Sequence, residues 1–187
     1  MDARLAGLRT RAEDAPGGLF TCVGVLFFAV WLVFRPSYHE SASQSDWNLV
    51  LGFSAAILAL AFALPLFAQL VGGRLAFRVA LVPAAGAALA SLSIILEDGL
   101  QMGWAFFGFI VSAAIIDLGL LALTVVTALV GRGRRRLLAL VPAATMAGIT
   151  LYVIVGGVLL LATSLGAAAV AVALRTRTVA LAAPTTL

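Results

Sequence analysis

Residues 137–174 read LLALVPAATMAGITLYVIVGGVLLLATSLGAAAVAVAL, an apolar stretch without a single charge. A straight α-helix over those 38 positions, rising 1.5 Å per residue, would measure about 57 Å, nearly twice the ~30 Å hydrocarbon core of a bilayer. The stretch must break or leave the membrane. Gly156-Gly157 stands at its middle and offers the backbone freedom of a tight turn. Read as a hairpin, it gives helices at about 137–155 and 158–174 and returns the C-terminal tail to the side from which the stretch began.

The same length rule applies upstream, where a spanning helix needs about 17–25 apolar residues. It predicts helices at about 19–34, 47–71, 75–96 and 104–130. The expected fold is all-α, a polytopic transmembrane helix bundle of six helices, or five if 137–174 does not turn. Residues 1–18 form a cytoplasmic segment, 19–174 the bundle and 175–187 a cytoplasmic tail. The first run follows Arg4, Arg9 and Arg11, as a signal peptide would. The small residues Ser41-Ala42-Ser43 lie seven positions beyond it and more spans follow, so an uncleaved anchor is expected.

Composition agrees. The chain has 187 residues, 63% of them hydrophobic and 11% charged, against about 25% charged in an ordinary soluble domain. Mean hydropathy is +1.15. All 12 basic residues are arginine, which with the alanine and glycine load suggests GC-rich coding. The formal net charge of +4 does not point to nucleic acid, because the arginines sit in short clusters between apolar runs. With the N-terminus inside, eleven of the twelve fall on the inner side and only Arg35 outside, as the positive-inside rule favours. A five-helix chain would place Arg175 and Arg177 outside as well. Cys22 is the only cysteine, which excludes an intramolecular disulfide and a thiolate metal site, and it is expected to be a small buried hydrophobe.

A repeat supports the six-helix count. Leu81-Val82-Pro83-Ala84-Ala85 recurs as Leu140-Val141-Pro142-Ala143-Ala144, and Ser54-Ala55-Ala56-Ile57 as Ser112-Ala113-Ala114-Ile115. Helices two and three then correspond to four and five, in a parallel two-helix repeat. Small residues at four-residue spacing (Ala55, Ala59, Ala63; Ala80, Ala84, Ala88; Ala143, Ala147; Ala162, Gly166) suggest close helix contacts. Pro65 lies deep in its helix and is the expected kink.

Asp117 is the only charged residue within a helix core and stands at the centre of 104–130. An acid at mid-bilayer costs about 2.5–3.5 kcal/mol on insertion scales, so it should face the bundle or a wet cavity. No arginine shares its depth, and it is expected to carry its proton. Thr124 lies on its helix face, and Thr145, Thr163 and Ser164 are hydroxyls at similar depth. The candidate binding set is Asp117, Thr124, Thr145 and Ser164. Asp117, Glu97 and Asp98 are the candidates for a catalytic acid. On the outer rim His39, Glu40, Glu97 and Asp98 are weak metal candidates at a spacing that matches no metal motif. Arg132, Arg134, Arg135 and Arg136 form a basic inner loop suited to anionic headgroups. No nucleotide loop, HExxH, GxSxG or CxxC is present, and no cofactor is implied.

Ile94 to Leu100, leading into Trp104, resemble stretches in small multi-span proteins of high-GC bacteria. The resemblance implies a bacterial cytoplasmic (inner) membrane and no function. Three readings compete. The first is transport of a proton, ion or small molecule through a midplane site at Asp117. The second is a non-enzymatic membrane subunit or regulator, as a homo-oligomer or with a membrane-protein partner. The third is an enzyme using acid catalysis on a lipophilic, isoprenoid-like substrate, which needs an apolar pocket touching an acid.

Overall fold

The computed structural model describes residues 2–34, 47–131 and 133–182, and no strand occurs among them. Five α-helices follow one another: α1 (Asp2–Phe34), α2 (Trp47–Ile94), α3 (Ala105–Val130), α4 (Leu140–Thr150) and α5 (Gly157–Ala182). Short π turns at Ile95–Gly99 and Tyr152–Gly156, and a 3-10 turn at Gly133–Ala139, extend the helix ends. Among the described residues four stretches are long and apolar enough to cross a membrane: Asp14–Val33, Val50–Gly99, Ala105–Val130 and Gly157–Arg175.

α2 folds back on itself. Gly73 interrupts it at φ 66° and ψ −150°, a region that only glycine enters without strain. Beyond that point the chain reverses, so Ser54 and Ser91 meet with their hydroxyl oxygens 2.7 Å apart. The break comes at the Gly72-Gly73 pair between the two expected spans. Pro65 lies within the first arm, and Gly73 is the only interruption of α2.

The other reversals follow from close contacts between helices. A Cβ on Gly119 would stand 2.5 Å from the Pro83 ring, and one on Gly86 2.9 Å from Ile115. α3 therefore runs antiparallel to the second arm of α2. Thr150 reaches Asp117 from α4. A Cβ on Gly148 would stand 3.1 Å from Leu160, so residues 137–174 turn back at the Tyr152–Gly156 π turn. α5 then lies antiparallel to α1. Arg175 pairs with Asp14 at 2.8 Å, and a Cβ on Gly157 would stand 2.8 Å from Trp31. Phe20 packs edge-on against Phe67, and Phe27 against Phe53, closing α1 onto the first arm of α2. Phe20, Leu60, Leu64, Leu120, Leu123 and Leu160 form the fully buried centre.

Charge separates by end. Arg74, Arg78, Arg135, Arg136 and Arg175 gather at the end where α2 folds. Glu97, Asp98 and the tryptophans Trp31, Trp47 and Trp104 lie at the other. Along α1 the 17 residue-to-residue steps from Asp14 to Trp31 span about 26 Å, close to the thickness of a bilayer core. Large apolar side chains cover the flanks, with Leu118 at 68% and Leu129 at 75% exposure. Water would not tolerate so continuous an apolar surface.

Two local expectations change. Cys22 is exposed, not buried. The inward stripe of α1 is Pro16, Gly17, Phe20, Val23, Gly24 and Phe27, and Cys22 falls outside it. Close approach uses only some of the expected small residues, and others beside them. Of the expected set Ala63, Ala80 and Ala84 are buried while Ala55, Ala88 and Ala162 are exposed, and Gly17, Gly24, Gly86 and Gly119, outside that set, touch neighbouring helices directly.

Candidate functional site

α3 presents Ser112, Ile116, Gly119, Leu120, Leu123 and Thr127 to the core at three- and four-residue spacing. Asp117 sits one step round from this stripe and is half-buried, on the side facing α4. The Thr150 hydroxyl donates to Asp117 Oδ2 at 3.3 Å, and its distance to the Met146 carbonyl is 2.9 Å. Thr150 is exposed, so the pair lies at an α3–α4 seam that reaches the flank of the bundle. Asp117 Oδ1 is buried and has no hydrogen-bond partner among the described residues. A buried acceptor left unpaired costs roughly 1–3 kcal/mol.

The hydroxyls named from helix face and depth serve their own helices. Thr124 donates to the Leu120 carbonyl at 2.8 Å, Thr145 to Val141 at 2.8 Å and Thr163 to Leu159 at 2.7 Å, each one turn back. Ser164 donates to Leu161 at 2.8 Å and packs against Gly24. None of these contacts joins them to Asp117. Thr150 was not singled out from the sequence. The signal for it is the pairing of α3 with α4 about the turn at 131–139, which sets residue 150 opposite 117. Thr127 was missed as well: its side chain is fully buried on α3 and its hydroxyl has no partner among the described residues.

Glu97 and Asp98 lie in the π turn at the opposite end from the arginines. Burial pushes both carboxyls above their ordinary range, and the Asp98 charge pushes Glu97 further up. The Gln101 side-chain amide donates to the Asp98 carbonyl at 2.7 Å and steadies the turn. His39, Glu40 and Arg132 lie outside the described residues. Among the described residues no three His, Cys, Asp or Glu side chains gather in a group fit to hold a metal. On the basic side, Arg136 Nε donates to the Gly131 carbonyl at 3.1 Å, which ties the start of the 3-10 turn to the end of α3. Arg135 remains exposed beside it.

The Asp117–Thr150 pair offers a carboxyl that can accept or release a proton, or supply an oxygen to a cation, at the middle of an apolar helix. Comparison with protein-family models, curated proteins and solved structures finds no match to this chain.

Proposed function

We propose that the protein is a multi-pass membrane protein that carries a proton or small cation, with Asp117 as the exchanging carboxyl and Thr150 as its gating hydroxyl. The observation that supports this most is the buried, unpartnered Oδ1 of Asp117 beside the single contact from Thr150. An acid kept purely for packing would be expected to use both oxygens. Acids at this depth mark ion and proton pathways by default.

The same reading has the chain cross the bilayer six times, the two arms of α2 counting separately and residues 133–156 forming the fifth crossing. The antiparallel contacts of α1 with α5 favour both termini on one side, and the arginine-rich end favours the cytoplasm. A bacterial inner membrane is part of the proposal, as is contact of the basic loop with anionic headgroups. The two-helix repeat fits in part. Thr150 stands 59 positions after Ser91, but the two contacts are not equivalent, since Ser91 meets Ser54 whereas Thr150 meets Asp117, five positions beyond Ser112, the counterpart of Ser54.

Carbodiimides modify protonated carboxyls in apolar surroundings, which makes them a direct test. Treatment of the full-length protein in detergent, followed by peptide mass spectrometry, is expected to label Asp117, and added sodium protects it if a cation is the ligand. Labelling at Glu97 and Asp98 with none at Asp117 would count against the assignment.

One observation favours a second reading, a subunit or regulator. Thr150 is exposed, so the polar seam opens to the flank, where a partner helix could supply the missing donor. A stoichiometric partner that leaves when Asp117 is replaced by leucine would select this reading over transport.

A further inference from the structure

At the arginine-bearing end a crevice of about 510 Å³ opens between the fold of α2 and the end of α3, lined by Gln69, Leu70, Val71, Gly73, Val130 and Arg135 among others. Its volume lies in the range of small-molecule sites, about 300–1,000 Å³. The lining divides by chemistry. Leu70, Val71 and Val130 give an apolar wall, while the exposed Gln69 and Arg135 give donors at the rim. Gly73 leaves the wall open, since a Cβ there would meet nothing within 4 Å.

The local field is positive. Arg74, Arg78, Arg135 and Arg136 share this end, and among the described side chains the one acid here, Asp14, is engaged by Arg175. Arg136 Nε binds the Gly131 carbonyl, whereas Arg135 lines the crevice. The second arm of α2 also starts beside it, and the first turn of a helix favours negative charge.

We propose that this crevice is a phosphate-binding site for an anionic lipid. Arg135 pairs with the headgroup phosphate, the Gln69 amide donates a hydrogen bond, and the glycerol and first methylenes lie along Leu70 and Val130. Such a site differs from diffuse attraction of the basic loop to the membrane because it depends on one arginine and on the fold at Gly73. It is independent of any role for Asp117.

The test uses the full-length protein in nanodiscs of phosphatidylcholine, with and without phosphatidylglycerol, and reads thermal unfolding. Phosphatidylglycerol is expected to raise the Tm of the wild type. Arg135→Gln loses at least half of that rise and Gln69→Leu loses part of it. Arg78→Gln, a charge at the same end outside the crevice, keeps it. Arg135 is exposed, so its variant folds. Millimolar inorganic phosphate in phosphatidylcholine discs separates the sources: a rise there, lost in Arg135→Gln, assigns the same site to a soluble phosphate. Equal losses in Arg135→Gln and Arg78→Gln, or no rise with either ligand, overturn the proposal.

Discussion

Inserting Asp117 at mid-depth costs about 2.5–3.5 kcal/mol, and the 3.3 Å contact from Thr150 returns only part of it. Hydrogen bonds between membrane helices average about 0.6 kcal/mol and reach about 1.7 kcal/mol. Thr150→Val should therefore destabilise the bundle by about 0.5–1.5 kcal/mol, measured by unfolding in detergent. The outer turn makes a separate prediction. Because burial raises the Glu97 carboxyl, the folded state disfavours its charged form. The stability this group contributes is complete below its ordinary value of 4.5 and is lost as pH rises through the raised one. Glu97→Gln should thus stabilise the protein at neutral pH, and a pH series of melts should show the gain vanish in acid. Asp117 itself was legible in the sequence, since one charge in a long apolar run is conspicuous. Its partner was not, because Thr145 and Thr150 differ by five residues, or about 7.5 Å of helix rise, and only the register of α4 on α3 decides between them.

Glycines determine how the helices meet. A Cβ on Gly24 would fall 2.7 Å from the Leu160 carbonyl and 2.9 Å from Leu161 Cα, both backbone atoms that cannot give way cheaply. Gly24→Leu should force α1 from α5 and cost about 1–3 kcal/mol, read as a lower Tm. Gly73→Ala acts through φ instead. It meets no neighbour but occupies a region essentially reserved for glycine, at about 1–3 kcal/mol. The reversals were readable in part: the run 137–174 is too long for one crossing and turns at Tyr152–Gly156, just ahead of the helical Gly157, and the gap between the expected spans 47–71 and 75–96 holds the break at Gly73. The seams were not. Four-residue spacing marks many alanine pairs in a chain this rich in alanine, and burial then falls on only some of them, such as Ala63 and Ala80, and on glycines the spacing did not mark, led by Gly17, Gly24 and Gly119.

Across the whole molecule each rod packs antiparallel to the next and α5 returns to α1, so the arginines collect at one end and the tryptophans at the other. The apolar runs made membrane association plain from composition. The closing contact between α1 and α5 was not visible, because it joins residues such as Asp14 and Arg175 that are 161 positions apart. The proposed six crossings predict a simple accessibility pattern. With Cys22 replaced by alanine, single cysteines at positions 73, 135 and 180 should react with an impermeant thiol reagent from one side, and those at 99 and 151, where Leu151 is exposed, from the other. A cysteine at 180 that reacts together with 99 would require an odd number of crossings. Asp117 lies midway between these faces, and the reading of this protein rests on its being kept for exchange and not for packing. Removing a group retained for function commonly restores stability, so the thermal unfolding of Asp117→Leu and Asp117→Asn against wild type, in nanodiscs, tests that claim most directly. The expected result is a leucine variant at least as stable as wild type. A leucine variant that is clearly destabilised, beside an asparagine variant that is tolerated, would make Asp117 a structural hydrogen-bonding group and contradict it.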